Sequence, residues 1–304
     1  MTQVHDRHPL GPFWAADEGS LAAQRRAAHA EDLGRIVQTV DQPCKLDDFI
    51  VAWAAEARPG SQMSAQMITS ICQLGPEVLT ENGVTIWCGR PAAEDGEMDL
   101  ARLLYLLSPE ERRTAARFRF PDDRWSFVAV HSALRLMLGQ LLGCDGSEVR
   151  FVSSDKGKPS LDQDRHLQKA ARAVHFNIAH TRGMVAIIVA NVSVGIDVER
   201  VRPLSDMRVL VSGLMAPEAM AAYDAAQDCE DRCTLFFRNW TLSEAFIKAT
   251  GEGVGQGLSS FAFTQHGKPR LLRTDAQWGP GERWTFGQLA GPSRGAHSNC
   301  RAAA

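Results

Sequence analysis

Most features that would announce a specialised class are missing from this sequence. No uninterrupted apolar run approaches the ~20 residues a bilayer-spanning helix needs. The first stretch, Met1 to Phe13, lacks the basic-then-apolar layout of a secretory signal. There are seven cysteines, an odd number without framework spacing, which argues against a disulfide scaffold and for a reducing cytoplasm. A net charge of -3 gives no reason to expect nonspecific nucleic-acid binding. Neither a G-x-x-x-x-G-K-[ST] phosphate loop nor a G-x-G-x-x-G fingerprint occurs, so the standard nucleotide folds are disfavoured. Cys229 and Cys233 with His175 and His180 could suggest zinc, but no second cysteine pair completes a site.

What is present is an ordinary globular composition over 304 residues, 44% hydrophobic and 23% charged. Residues 1–82 read as an N-terminal helical extension of unknown role. Amphipathic patterns run over Ser20–Val40 and Leu46–Ala57, and an apolar stretch follows the breaker Arg58-Pro59-Gly60 at Met63–Leu74. From Gly83 the pattern is mixed. Val84–Cys88 reads as a strand, and Ser108-Pro109-Glu110-Glu111 opens a helix with cap, N1 proline and N3 glutamate in place. The next helix, begun by Asp122 or Asp123, carries Phe127, Val130, Leu134, Met137, Leu138 and Leu141 on one side. Strands follow at 149–152, 173–180, 184–190 and 194–200. Helices dominate Ser205–Lys248, and strands return at Ser260–Thr264 and Arg283–Gly287. The expected class is therefore α+β, with two similar α/β halves in a pseudo-two-fold arrangement. Residues 83–190 form the first half, 191–290 the second, and 291–304 a polar tail. The junction of such halves is a favoured place for a ligand.

Several charged clusters stand out. In Val194-Gly195-Ile196-Asp197-Val198-Glu199-Arg200, strand alternation puts Asp197 and Glu199 on one face. Two like charges so close are stabilised by a hard divalent cation. On spacing alone, a strand end with Glu199 bridged to Arg200 or Arg202 is the commoner explanation. In Trp240–Ala249, Glu244 and Lys248 are i, i+4 and share a helix face, which also fits an ordinary surface pair. His180 and Thr181 fall at a turn, where a ring, a hydroxyl and a backbone N–H can meet a phosphate. Lys156-Gly157-Lys158-Pro159 is a basic turn, and Arg112, Arg113, Arg117, Arg119 and Arg124 make a basic region. Together the three carboxylates suit Mg²⁺, and the cationic groups suit a polyphosphate.

In this combination and order, Gly195–Glu199 followed by Trp240, Glu244-Ala245 and Lys248 resembles the paired signature of 4′-phosphopantetheinyl transferases. The resemblance is to the larger, surfactin-synthetase-activating type, two halves in one chain, and covers about residues 83–290. Gly157-Lys158-Pro159, Phe176–Thr181 and Ser108-Pro109-Glu110 through Arg117-Phe118 extend it. It implies transfer of the phosphopantetheine arm of coenzyme A to a serine of an acyl, peptidyl or aryl carrier protein, the holo-[acyl-carrier-protein] synthase reaction. Adenosine 3′,5′-bisphosphate would be released. Asp197, Glu199 and Glu244 would hold Mg²⁺, with Mn²⁺ as the alternative. Glu244 and Lys248 would be catalytic. Lys158, His180 and Thr181 would contact coenzyme A, and Arg117 and Arg124 its 3′-phosphate. A cytoplasmic monomer, away from membrane and nucleic acid, completes the expectation.

The sequence departs from the family pattern at Ser243, where many members have lysine, and at Ser126, a frequent arginine position. Residues 1–82 have no counterpart, and the C-terminus is more polar than a closing strand. These departures motivate a different class, a catalytically weak carrier-binding or regulatory protein. A metal-dependent phosphohydrolase is a third reading. Apolar carrier contacts from Met207, Val209, Leu210 and Met215 compete with plain core packing.

Overall fold

Two antiparallel sheets pack face to face, and each is covered outside by one long helix. The computed structural model describes residues 37–38, 49–56, 78–81, 84–91, 100–166, 174–204 and 207–289. In chain order the elements are β1 (Val37–Gln38), β2 (Phe49–Glu56), β3 (Val78–Glu81), β4 (Val84–Pro91), α1 (Leu100–Leu106), α2 (Pro109–Ala115) and α3 (Pro121–Leu142). There follow β5 (Phe151–Ser153), β6 (Pro159–Leu161), β7 (His175–Thr181), β8 (Met184–Ala190) and β9 (Val194–Arg200). The chain continues through α4 (Met207–Leu214), α5 (Pro217–Ala225), α6 (Cys229–Thr250), β10 (Ala262–Phe263), β11 (Leu271–Arg273) and β12 (Trp284–Leu289).

The first sheet runs β7-β8-β4, with β1 and β3 both pairing the far edge of β4. The second runs β9-β2-β12. Alternation in β8 shows how they pack. Val185, Ile187 and Val189 join the core under α3, whereas Met184, Ala186, Ile188 and Ala190 join β2 and β9 between the sheets. On β9, Val194, Ile196 and Val198 point into that inter-sheet core. Gly195, Asp197 and Glu199 therefore take the opposite face, toward α6. At the junction of the sheets, the Ile196 N–H donates to the Asn177 side-chain oxygen on β7 at 3.0 Å.

The sequence reading needs correcting in the N-terminal extension. Leu46–Ala57 was expected to be helical, but Phe49–Glu56 is strand β2, paired on both edges in the centre of the second sheet. All eight of its residues are buried. A strand buried on both faces shows no alternation, so its periodicity cannot be told from that of a buried helix. Val37–Gln38, at the end of the Ser20–Val40 pattern, is also strand. The rest of that pattern, the stretch Met63–Leu74 and the tail 291–304 lie outside the described residues. The strand expected at Arg283–Gly287 is β12, whose Trp284 and Phe286 are buried. Met207 is core, Leu210 and Met215 pack against that core, and Val209 is exposed.

Helix α3 has the length and apolar composition of a spanning helix, yet most of it is buried against protein. Its N-terminal partner α2 is capped as the sequence indicates: Glu111 N–H donates to Ser108 Oγ, and Ser108 N–H donates to the Glu111 carboxylate at 2.7 Å. The same carboxylate accepts from Arg135 Nε at 2.9 Å and meets His131 Nδ1 at 3.0 Å. Arg135, 2% exposed, also donates to the Val149 carbonyl at 2.8 Å. Burial alone would raise the Glu111 pKa, but the His131 bond, the Arg135 charge and the Ser108 N–H hold it at about 2.

Because the folded pKa lies below the unfolded value of 4.5, the stabilisation is full above that pH. It fades as pH falls from there toward about 2. Glu111→Gln should cost about 3 kcal/mol at neutral pH, with the gap to the parent narrowing in acid. Urea melts at several pH values check this, and a gap that stays constant into strong acid would refute it.

Candidate functional site

The site grows from one glycine. A Cβ added at Gly195 would stand 2.1 Å from the Ala245 carbonyl oxygen and 2.4 Å from the Ala249 nitrogen. Only glycine lets α6 lie this close to β9. Helix α6 is held at one end by Asp228, whose side chain accepts from Asp231 N–H at 2.8 Å. At the other, Gly251 ends it in the left-handed conformation, φ +79. The close approach brings Lys248 to Asp197.

Asp197 is buried, and its Oδ1 accepts from Lys248 Nζ at 2.7 Å. Lys248 Nζ also donates to the Ile196 carbonyl at 3.2 Å. The second oxygen, Asp197 Oδ2, is buried without a partner. Burial raises the Asp197 pKa, opposed by the charge and hydrogen bond of Lys248 and by the Val198 backbone. Glu199, half-buried, is raised to about 7 by burial and then by the Asp197 charge; Arg202, Lys248 and a bond with the Trp240 side chain oppose this. Glu244 is raised by burial and again by Asp197, with Lys248 opposing. Here three carboxylates share one ammonium.

The structure thus brings Asp197, Glu199, Glu244 and Lys248 together. His180, at the end of β7, belongs with them through the charge of Lys248. Its pKa falls to about 4, first through burial and then through His131 and Lys248, with Asp123 opposing. Its ring stands edge-on to Phe118 and Phe127, with centroids 6.4 and 6.1 Å away. The ring is therefore neutral near pH 7. Thr181 follows it, half-buried, opposite Met184 across the Arg182-Gly183 turn.

The other residues expected from the sequence are carried by different elements. Arg117 is exposed just beyond α2. Arg124 lines a cavity of about 320 Å³ with Leu100, Phe118, Arg119, Pro121 and Trp125. Its Nε is buried there without a partner. Lys158 sits at the C-terminal end of α6, turned into protein, where its Nζ donates to the carbonyl of Ala249, the residue after Lys248, at 2.8 Å. Ser243 is buried, as is Ser126, whose Oγ donates back to the Asp122 carbonyl at 2.9 Å. Sequence reasoning did not assign a function to the Glu111, His131 and Arg135 network. The glycine preceding Ile196-Asp197 was the one signal for the close helix approach.

Among the described residues, no group of three or more histidine, cysteine or carboxylate side chains is arranged to hold a metal ion. The donor chemistry nevertheless suits a cation. One buried carboxylate oxygen is orphaned, and two neighbouring carboxylates are held above their usual range by burial and by its charge. A hard divalent ion is bound by such oxygens and would offset the excess negative charge.

Comparison with known proteins bears on the family. A family model described as 4′-phosphopantetheinyl transferase superfamily matches residues 193–298. A second, described as 4′-phosphopantetheinyl transferase, N-terminal, matches residues 94–193. The 4′-phosphopantetheinyl transferase HetI of Nostoc sp. is 33% identical over 202 residues, 66% of this chain and 82% of the relative. The transferase psf-1 of Bacillus pumilus is 29% identical, covering 55% of this chain and 68% of the relative. Sfp of Bacillus subtilis is 26% identical, covering 60% of this chain and 75% of the relative.

Proposed function

The chain belongs to the 4′-phosphopantetheinyl transferases of the Sfp type, and on that premise we propose that it moves the phosphopantetheine arm of coenzyme A onto a serine of an acyl, peptidyl or aryl carrier protein. Adenosine 3′,5′-bisphosphate is the second product. The observation that supports this reading is the seam of β9 and α6, where Lys248 is paired with Asp197, its charge also acts on Glu199 and Glu244, and one Asp197 oxygen is buried without a partner.

These three carboxylates would hold Mg²⁺, or Mn²⁺ in its place. When bound, the ion supplies charge neutralisation at the pyrophosphate, the main demand of phosphoryl transfer. The chain's own groups do the rest. Glu244, half-buried beside the seam, accepts the proton of the carrier serine hydroxyl. The serine oxygen forms a bond to the phosphorus bearing the pantetheine arm, and the P–O bond to the adenosine-side phosphate breaks. Lys248 offsets the charge left on that departing phosphate. His180, neutral between two phenylalanine rings, donates a hydrogen bond to coenzyme A. The buried seam limits access of water, which favours the carrier serine over hydrolysis.

Incubating the chain with coenzyme A, Mg²⁺ and a panel of apo carrier domains should add the mass of the arm to the carrier. Folded protein that modifies none of the panel would end this reading. Cleavage of coenzyme A without any carrier would instead point to a phosphohydrolase. A chelator should stop turnover, and added Mg²⁺ or Mn²⁺ should restore it; unchanged turnover in excess chelator would remove the metal from the proposal.

A further inference from the structure

We infer that Lys158 works inside the protein as a positioning residue, capping the last turn of α6 and tying the β5–β6 turn to the β9–α6 seam, so that it places Lys248 for the transfer. The inference rests on the proposed transferase reading for its kinetic consequence, and on geometry alone for the clamp.

An ammonium has three N–H donors and no acceptor. All three have protein partners: the Ala249 carbonyl at 2.8 Å, the Val194 carbonyl at 3.1 Å and Ser193 Oγ at 3.3 Å. Ser193 Oγ donates to the same Ala249 carbonyl at 2.6 Å. That carbonyl lies in the last turn of α6, where helices leave acceptors without intrahelical partners. A cation there is also favoured by the helix dipole. The Lys158 stem lies over Gly251, close enough that a Cβ on the glycine would be 3.2 Å from Lys158 Cδ.

The turn that presents Lys158 is itself fixed. Gly157 takes φ +85, its N–H donates to the Ser154 carbonyl at 2.8 Å, and Ser154 N–H donates to the Lys158 carbonyl at 2.9 Å. Lys158 N–H donates to Ser154 Oγ at 3.1 Å. Burial lowers the Lys158 pKa to about 8, in keeping with an ammonium held away from water. The clamp thus joins an outer hairpin of the first half to the residue next to Lys248. A cavity of about 300 Å³ opens beside it, lined by Lys158, Pro159, His175, Phe176, Ser193 and Thr250 among others.

The test compares Lys158→Met and Ser193→Ala with the parent in the carrier mass assay, each also followed by thermal melting. For Lys158→Met, kcat should fall about tenfold while the KM for coenzyme A stays within about twofold, because the lysine acts through Lys248. Ser193→Ala, the smaller lesion in the same clamp, should lose about two- to threefold in kcat. A KM for coenzyme A raised tenfold with kcat unchanged would make Lys158 a direct ligand and overturn the inference. A lower melting temperature with both kinetic constants unchanged would reduce it to a structural tie and also overturn it. If Lys158→Met does not fold, Ser193→Ala decides.

If the parent itself shows no transfer, the functional reading fails and the clamp is judged on the free chain. The Lys158 ammonium should then give a solvent-protected ¹⁵N signal. The Gly251 N–H, which donates to the Ile247 carbonyl, should exchange at least fivefold faster in Ser193→Ala. A freely exchanging ammonium with unchanged Gly251 exchange overturns the clamp on its own terms.

Discussion

Asp197→Asn is expected to lower the rate of carrier modification by roughly two to three orders of magnitude while the fold survives, the scale of removing one preorganised electrostatic contact. The expectation follows from the two unlike oxygens of Asp197. Oδ1 already has Lys248 at 2.7 Å, whereas Oδ2 is buried without a partner. A buried polar atom left in that state costs of order 1–3 kcal/mol, so a native protein keeps it for a reason. Asparagine conserves volume and keeps an oxygen for Lys248 but removes the negative charge. The loss therefore falls on whatever positive charge the site is built to hold. Glu199 and Glu244 should then return toward ordinary carboxylate behaviour, since the Asp197 charge helps to raise both. Melting curves and the mass assay separate the two effects. Turnover within a factor of ten of the parent would show that Asp197 is not at the reacting centre.

Much of the chain from Val84 onward was legible in the sequence because its signals are local. The apolar residues of β9 alternate cleanly, β8 is a short apolar run bounded by turn residues, and the cap of α2 is spelled by four consecutive residues, Ser108 to Glu111. Asp197 with Glu199, and Glu244 with Lys248, each fit an ordinary ion pair by spacing alone, and pointed to a site only in combination. What joins those elements was not local. The three acceptors of Lys158 come from positions 35, 36 and 91 residues away, so a basic turn in sequence became a buried clamp in space. Strand β2 was missed for a related reason. Phe49-Ile50-Val51-Ala52-Trp53-Ala54-Ala55-Glu56 is buried on both faces, and its identity as a strand depends on partners at 194–200 and 284–289. Hydrophobic periodicity reports a half-exposed element and is silent about one enclosed by tertiary pairing.

Gly195→Ala is the substitution expected to do most damage to the structure. The added methyl would meet the Ala245 carbonyl oxygen at 2.1 Å, the Ala249 nitrogen at 2.4 Å and the Lys248 carbonyl carbon at 2.9 Å. All three are helix backbone atoms, so no side-chain rotation can relieve the contact. Helix α6 must move outward by roughly 1 Å or more, a shift that packed interiors transmit rather than absorb. Phe246 would be drawn away from Phe261, Trp284 and Phe286, whose ring centroids lie 5.0–5.8 Å from its own. Lys248 would be drawn from Asp197 by the same movement. A loss of about 3 kcal/mol or more is expected, lowering the melting temperature by roughly 10 °C, with transfer activity down about a hundredfold in whatever protein remains folded. Gly213, on α4, is the internal control: nothing lies within 4 Å of its added Cβ. Gly213→Ala should be neutral or stabilising by about 0.5–1 kcal/mol through helix propensity alone. If both variants melt with the parent, the close approach of α6 to β9 is not what positions the site.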